Sequence, residues 1–300
     1  MALDVFTRRH LHLHLARNLR SLSTSTSAQA KAQRTTPLSQ PQPPPQPSRA
    51  IDARWLSNIK ARVGKCITFG LKPSQVAAAG RVQEQLATEW RELVAGSEGF
   101  LTDRARQGLR GHNVVWGEMD SMGHVNNVAY VRYAETGRVN WVNNFGVHID
   151  PAHREQWLGL MGNKGIGLIL RSIKIDYKFP MTSPDKISVY HKLSHPPHTP
   201  SPNHSPSSLH FDVVIFSEAK QRPAARCIED VVVYDYRVGR KVAELPGYML
   251  DQFRRTWDLQ EEAKRVNRAK VGEIERQVRA LETGSWDREG AVEDVGSARK

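Results

Sequence analysis

The sequence predicts an α+β protein in which an antiparallel sheet wraps one long central helix, with further helices at both ends. Three observations carry that prediction. A short strand over Asn113–Met119 leads into an apolar helical pattern starting near Val125 (Val128, Ala129, Val131, Ala134). Beyond Gly165 the period changes, and four β-branched, partly alternating stretches follow one another. Outside this unit, apolar residues recur at three- and four-residue steps, which is the spacing of one helix face.

Residues 1–35 read as a mitochondrial transit peptide. They are rich in Arg, Ser, Thr, Leu and Ala, nearly free of acid, and lack the continuous apolar core of a secretory signal. Residues 36–50 form a Pro-rich linker expected to be extended, and structure should start near Ile51. Residues 51–109 are predicted as a helical extension. Its first helix covers roughly Ala53–Val63. The second begins at Pro73, a first-turn position where no hydrogen bond is lost, and carries one stripe through Val76, Ala79, Val82, Leu86, Trp90 and Leu93 until Gly96 closes it.

The central domain is predicted over residues 110–245. Its long helix ends around Trp141–Gly146, and Asp150-Pro151 opens a new turn. Strands are expected over Gly165–Tyr177, Lys186–Leu193, His210–Phe216 and Ala224–Tyr236. Consecutive strands with short connections tend to pair antiparallel. Ala129, Ala134 and Gly137 would let the helix backbone come close to the sheet. Residues 194–208 carry prolines at 196, 197, 200, 202 and 206, which forbid ladder pairing, so they read as a loop insertion. Its three histidines (His195, His198, His204) match no structural zinc spacing. From Pro246 to about Thr283 runs a long charged helix or helix pair, with Leu250, Phe253 and Trp257 on one face, and a polar tail completes residues 246–300.

Composition narrows the function classes. The chain of 300 residues has 39% hydrophobic residues and a net charge of +12, with a mean hydropathy of −0.53. No apolar run approaches the roughly 20 residues that a membrane-spanning helix needs. Half of the charge lies in the first 50 residues, where seven basic residues face Asp4 alone. The remainder is mild and accompanies no nucleic-acid-binding signature, so no nucleic-acid partner is expected. Cys66 and Cys227 have no second cysteine near them in sequence and suggest neither a disulfide framework nor a metal set. A Gly-x-Ser-x-Gly elbow is absent, as are a dinucleotide fingerprint and a phosphate-binding loop, and no cofactor is called for.

The chemistry concentrates in one stretch, Trp116 to Arg138. Gly123 permits a tight turn between strand and helix, and Asn126 or Asn127 suits the helix N-cap. Asp120 and His124 therefore fall on the loop leading into a helix N-terminus, where unpaired amides and the macrodipole favour developing negative charge. A carboxylate beside such a site suits hydrolysis of an activated carbonyl. The residues alone equally allow Asp120 and Asn126 to be caps and His124 to be a packing residue.

The order Asp120, Gly123-His124-Val125-Asn126-Asn127, Tyr130 and Glu135 resembles the hot-dog-fold thioesterases of the 4-hydroxybenzoyl-CoA thioesterase-like group. Plant acyl-carrier-protein thioesterases share the His-Val-Asn-Asn run, and Asp176-Tyr-Lys-Phe-Pro180 also resembles the group. The likeness spans roughly residues 110–245. It implies a hot-dog fold, a mitochondrial form of an acyl-CoA or acyl-carrier-protein thioesterase, and a homodimer or higher homo-oligomer. It further implies that Asp120 acts as general base or nucleophile, with His124 and Asn126 orienting the carboxylate, water or carbonyl. Amides near Val125 and Asn126 would polarise the carbonyl, and Asn127, Tyr130 and Glu135 would contribute to substrate binding. Met122 departs from the plant enzymes, where an Asn two residues after the Asp assists. Glu135 also has Arg138 at a spacing that favours a structural ion pair. Two other readings remain: a non-catalytic hot-dog protein that binds acyl groups or serves assembly, and a hot-dog enoyl-CoA hydratase, although the Asn-Pro of that motif is missing here.

Overall fold

A computed structural model describes residues 51–197 and 206–293. The expected transit peptide and linker, most of the Pro-rich insertion and the last seven residues lie outside the described residues. Elements follow in the order α1 (Trp55–Thr68), α2 (Pro73–Thr88), α3 (Trp90–Val94), β1 (Leu109–Val114), α4 (Asn127–Asn144), α5 (Arg154–Gly159), β2 (Ile166–Tyr177), β3 (Asp185–Leu193), β4 (Ser208–Ser217), β5 (Arg222–Asp235), β6 (Arg240–Lys241) and α6 (Gly247–Gly284). The main sheet runs β1-β3-β4-β5-β2, with β6 paired to β5, and every pairing is antiparallel. This is a hot-dog fold with added terminal helices.

Successive side chains of a strand point to opposite faces, and here both faces are covered. Val189, Val213 and Ile215 join the inner core around α4, with Ala129, Ala134, Trp141 and Phe145. Their neighbours Tyr190, Val214 and Phe216 join an outer core with α1, α2, α3 and the distal half of α6. This two-sided burial explains the continuous apolar run Val213–Phe216 of β4. Helix α6 links the two cores. Met249 and Phe253 enter the inner one, Val271, Ile274, Val278 and Leu281 the outer one. Between them the Gln260 amide brackets Leu193, accepting from its N–H at 2.9 Å and donating to its carbonyl at 3.1 Å. Arg62 of α1 reaches Glu275 at 2.5 Å and Glu282 at 2.7 Å on α6.

Two contacts seat α4 on the sheet. A Cβ on Gly137 would lie 2.8 Å from Val189 Cγ1 and 3.0 Å from His191 Cε1, and one on Gly108 would lie 2.7 Å from Gly137 Cα. Only glycine lets these backbones approach so closely. At the next residue the buried Arg138 guanidinium stands 2.7 Å from Glu229 on β5, with His191 of β3 at 3.7 Å from the same carboxylate. Glu229 is fully buried.

The structure corrects several expectations. Arg138 pairs with Glu229, not Glu135, because its position faces the sheet while Glu135 is exposed. The strand predicted to reach Met119 ends at Val114, and Trp116–Glu118 form a 3-10 turn. The second predicted helix breaks at Glu89, although its stripe continues in α3. The first helix runs on to Thr68, and the C-terminal segment is one helix of 38 residues.

Burial alone would raise the Glu229 pKa, but His191 and Arg138 outweigh it and hold the carboxyl below the ordinary 4.5. Its contribution to stability is therefore present above about pH 4.5 and lost as pH falls through the lower folded value. Glu229→Gln should cost about 3–5 kcal/mol at neutral pH by stranding the buried Arg138. It should also flatten acid unfolding over that window in urea titrations run from pH 7 to pH 3. Gly108→Ala should cost about 1–3 kcal/mol through overpacking, read as a lowered urea midpoint.

Candidate active site

The turn between β1 and α4 is closed by main-chain bonds before any side chain acts. Gly123 takes φ +76°. The Asp120 amide donates to the His124 carbonyl at 2.7 Å, and the Gly123 amide donates to the Asp120 carbonyl at 3.0 Å. The Asp120 Oδ1 accepts from the Met122 amide at 2.8 Å and from the His124 amide at 3.4 Å. Its second oxygen accepts no hydrogen bond among the described residues, so the half-buried carboxylate is held on one side and open on the other. The His124 imidazole, also half-buried, has no side-chain partner among the described residues.

Competition for amides decides what the helix N-terminus can do. Val125 N–H donates to the Met181 carbonyl at 2.8 Å, and Asn126 N–H to the Glu118 carbonyl at 2.8 Å. The two amides expected to polarise a carbonyl are therefore engaged. Asn126 is the N-cap: its Oδ1 accepts from Val128 N–H at 2.9 Å, and its carbonyl accepts from Ala129 N–H at 2.9 Å. Among the described residues Asn127 N–H is left without an acceptor. It opens the first turn, where the helix field favours an anion.

The remaining expected residues separate. Tyr130 is buried, and its hydroxyl accepts from Met181 N–H at 3.3 Å, so it braces the residue whose carbonyl holds Val125. Burial raises its pKa. Glu135 is exposed and lies eight residues along α4 from Asn127, roughly 12 Å of helix rise; the structure does not bring it to Asp120.

Three residues escape the sequence reading. Glu118 takes Val115 N–H on its carboxylate at 3.0 Å and faces the buried Tyr133 hydroxyl, whose pKa rises through burial and then through this carboxylate. Met181 secures Val125, and Tyr177 donates to the Asn127 carbonyl at 3.3 Å. Position 115 is Val rather than Ser or Thr, so no capping-box signature announced Glu118. Met181 directly follows the Asp176–Pro180 segment that carried part of the family likeness. Around the turn Trp116, Met122, Val128 and Tyr177 form an exposed apolar rim.

Residues 114–253 match the model of the thioesterase-like superfamily. Solved structures similar to this chain include a candidate thioesterase of Pseudomonas aeruginosa, at 22% identity over 48% of this chain and 95% of that one, with a TM-score of 0.37. A thioesterase of Thermus thermophilus complexed with coenzyme A and zinc is 22% identical over 49% of this chain and 92% of its own, with a TM-score of 0.37. The DHNA-CoA thioesterase of Staphylococcus aureus is 17% identical over 56% and 94%, with a TM-score of 0.35.

Asn126→Ala removes the cap on Val128 and should lower stability by about 1 kcal/mol. Thermal unfolding measures the loss, and Asn126→Asp should restore it.

Proposed function

We propose that the chain is a thioester hydrolase acting on an acyl-CoA or acyl-carrier-protein thioester. The observation that carries this reading is the open oxygen of Asp120 on the turn that enters α4, whose first amide, that of Asn127, is unpaired among the described residues. The superfamily match over residues 114–253 supports it at the level of thioesterase chemistry.

In this mechanism the substrate carbonyl lies over the start of α4, and Asn127 N–H takes the oxyanion role first expected of Val125 and Asn126. Asp120 removes a proton from water, which attacks the carbonyl carbon; the C–S bond then breaks and the thiolate leaves. The alternative route has Asp120 attack directly, giving an acyl anhydride that water opens. The thiolate is a good leaving group, so neither route needs a strong acid. His124, whose main-chain amide bonds the carboxylate and whose imidazole has no side-chain partner among the described residues, orients the water or the carbonyl. Asn126 acts through the cap, and Tyr130 through Met181.

We further propose a homodimer. Edge strands β1 and β2 each have one partner in the sheet, β2 is 12 residues long, and the apolar rim lies beside Asp120. A long edge left unpaired invites another strand. The composition of residues 1–35 supports delivery to the mitochondrial matrix.

Thiol release from acyl-CoAs of increasing chain length and from an aromatic acyl-CoA tests the activity. Asp120→Asn should reduce turnover by about 10²–10⁴-fold with an unchanged circular dichroism spectrum. A wild-type dimer that releases no thiol from any substrate would overturn the hydrolase reading, and a monomer by light scattering would overturn the dimer.

A further inference from the structure

Asp120 stands at the tip of a miniature antiparallel ladder. Its amide donates to the His124 carbonyl at 2.7 Å, Met119 and Val125 form an isolated antiparallel bridge, and Asn126 N–H donates to the Glu118 carbonyl at 2.8 Å. The last rung joins the residue two places before Asp120 to the N-cap of α4. A two-stranded ladder is marginal in water on its own, so each of its strands needs an outside anchor. Met181 holds the second strand through Val125.

Glu118 anchors the first. Its amide donates to the Val115 carbonyl at 3.1 Å, and its carboxylate Oε2 accepts from Val115 N–H at 3.0 Å, which fixes the ladder to the end of β1. The same carboxylate faces the Tyr133 hydroxyl on the second turn of α4. Burial raises the pKa of that hydroxyl, and the carboxylate raises it further. Tyr133 is buried, and its hydroxyl makes no hydrogen bond of good geometry among the described residues. A buried hydroxyl left unpaired is costly, and the facing carboxylate is the acceptor offered to it. The ring cannot swing away, because it packs edge-on to His112 of β1 at 5.7 Å and to Tyr130 at 6.3 Å.

We propose that Glu118 is a positioning residue for the hydrolysis: it ties the ladder to β1 and to Tyr133 of α4, and so sets Asp120 against Asn127 N–H. The inference rests on the hydrolytic reading and gives Glu118 no contact with substrate. A misplacement of about 1 Å can cost roughly 10²-fold in rate.

Thiol release by wild type, Glu118→Gln, Glu118→Ala and Tyr133→Phe tests it, with amide hydrogen exchange over residues 118–127 measured in parallel. Glutamine keeps the length, an oxygen for Val115 N–H and a group that can pair with the Tyr133 hydroxyl, so Glu118→Gln should keep kcat within about threefold. Glu118→Ala should lower kcat at least tenfold with KM within about twofold, an unchanged circular dichroism spectrum and exchange quickened at least tenfold. Tyr133→Phe should lower kcat about threefold in the wild type and leave it unaltered in Glu118→Ala, because the two side chains act as one tie. Glu118→Gln as impaired as Glu118→Ala would make the carboxylate a reacting group and overturn the positioning role, as would an unchanged kcat in folded Glu118→Ala. A wild type that releases no thiol counts against the hydrolytic reading, whereas unchanged exchange in Glu118→Ala overturns the tie whatever the activity.

Discussion

The seat of α4 on the inner face of the sheet governs the rest of the molecule. Gly108 and Gly137 bring backbone against backbone, and the Arg138–Glu229 pair fixes the helix along its axis. Asn140 and Asn144 add side-chain bonds to the carbonyls of Gly108 and Gln107, at 2.9 and 3.0 Å. A buried ion pair is seldom a net source of stability against an apolar substitute. It does penalise any shift of the helix that would strand a charge. Arg138 lies eleven residues from Asn127, about 16 Å of helix rise, so an anchor deep in the core sets where the helix begins at the surface.

What the helix can offer there depends on which first-turn amides are already engaged. A helix start leaves up to four amides without internal partners. Here Asn126 satisfies two of the donors that follow it, Val128 and Ala129, through its side chain and its carbonyl. Outside the helix Val125 and Asn126 are sewn to Met181 and Glu118. These bonds make the turn rigid and leave Asn127 as the unpaired donor among the described residues. Preorganised donors stabilise charge effectively because they need not reorient as it develops.

The fold class was legible because its signals are periodic. The change from a helical step to alternation after Gly165, and the glycine and asparagine of the turn, are local properties that the chain carries without its tertiary partners. The N-cap was legible for the same reason, as a choice between Asn126 and Asn127. Long-range competition was not legible. Nothing near Val125 in sequence says that its amide is taken by Met181, 56 residues on. Likewise the i,i+3 spacing of Glu135 and Arg138 is a local rule overridden when Arg138 finds a carboxylate on β5, a partner that local spacing cannot reveal. The strand expected to reach Met119 fails for a related reason. Its last residues leave the sheet to form the 3-10 turn that positions Glu118.

The helices outside the motif follow from the strands rather than from the site. Tyr190, Val214 and Phe216 would expose a broad apolar surface on the outer face, and α1, α2, α3 and α6 cover it. Ion pairs fasten that cover: Arg226 of β5 holds Glu98 beyond α3 at 2.6 Å, and Arg91 of α3 binds Glu218 just beyond β4. The covering is selective. It closes a face and leaves the outer sides of β1 and β2 without a strand partner among the described residues, the Leu168 N–H to Leu160 carbonyl bond apart. A second copy adding to the β2 edge would therefore extend the sheet without displacing any helix of the outer layer, and the apolar rim of the Asp120 turn would remain the surface left to bury.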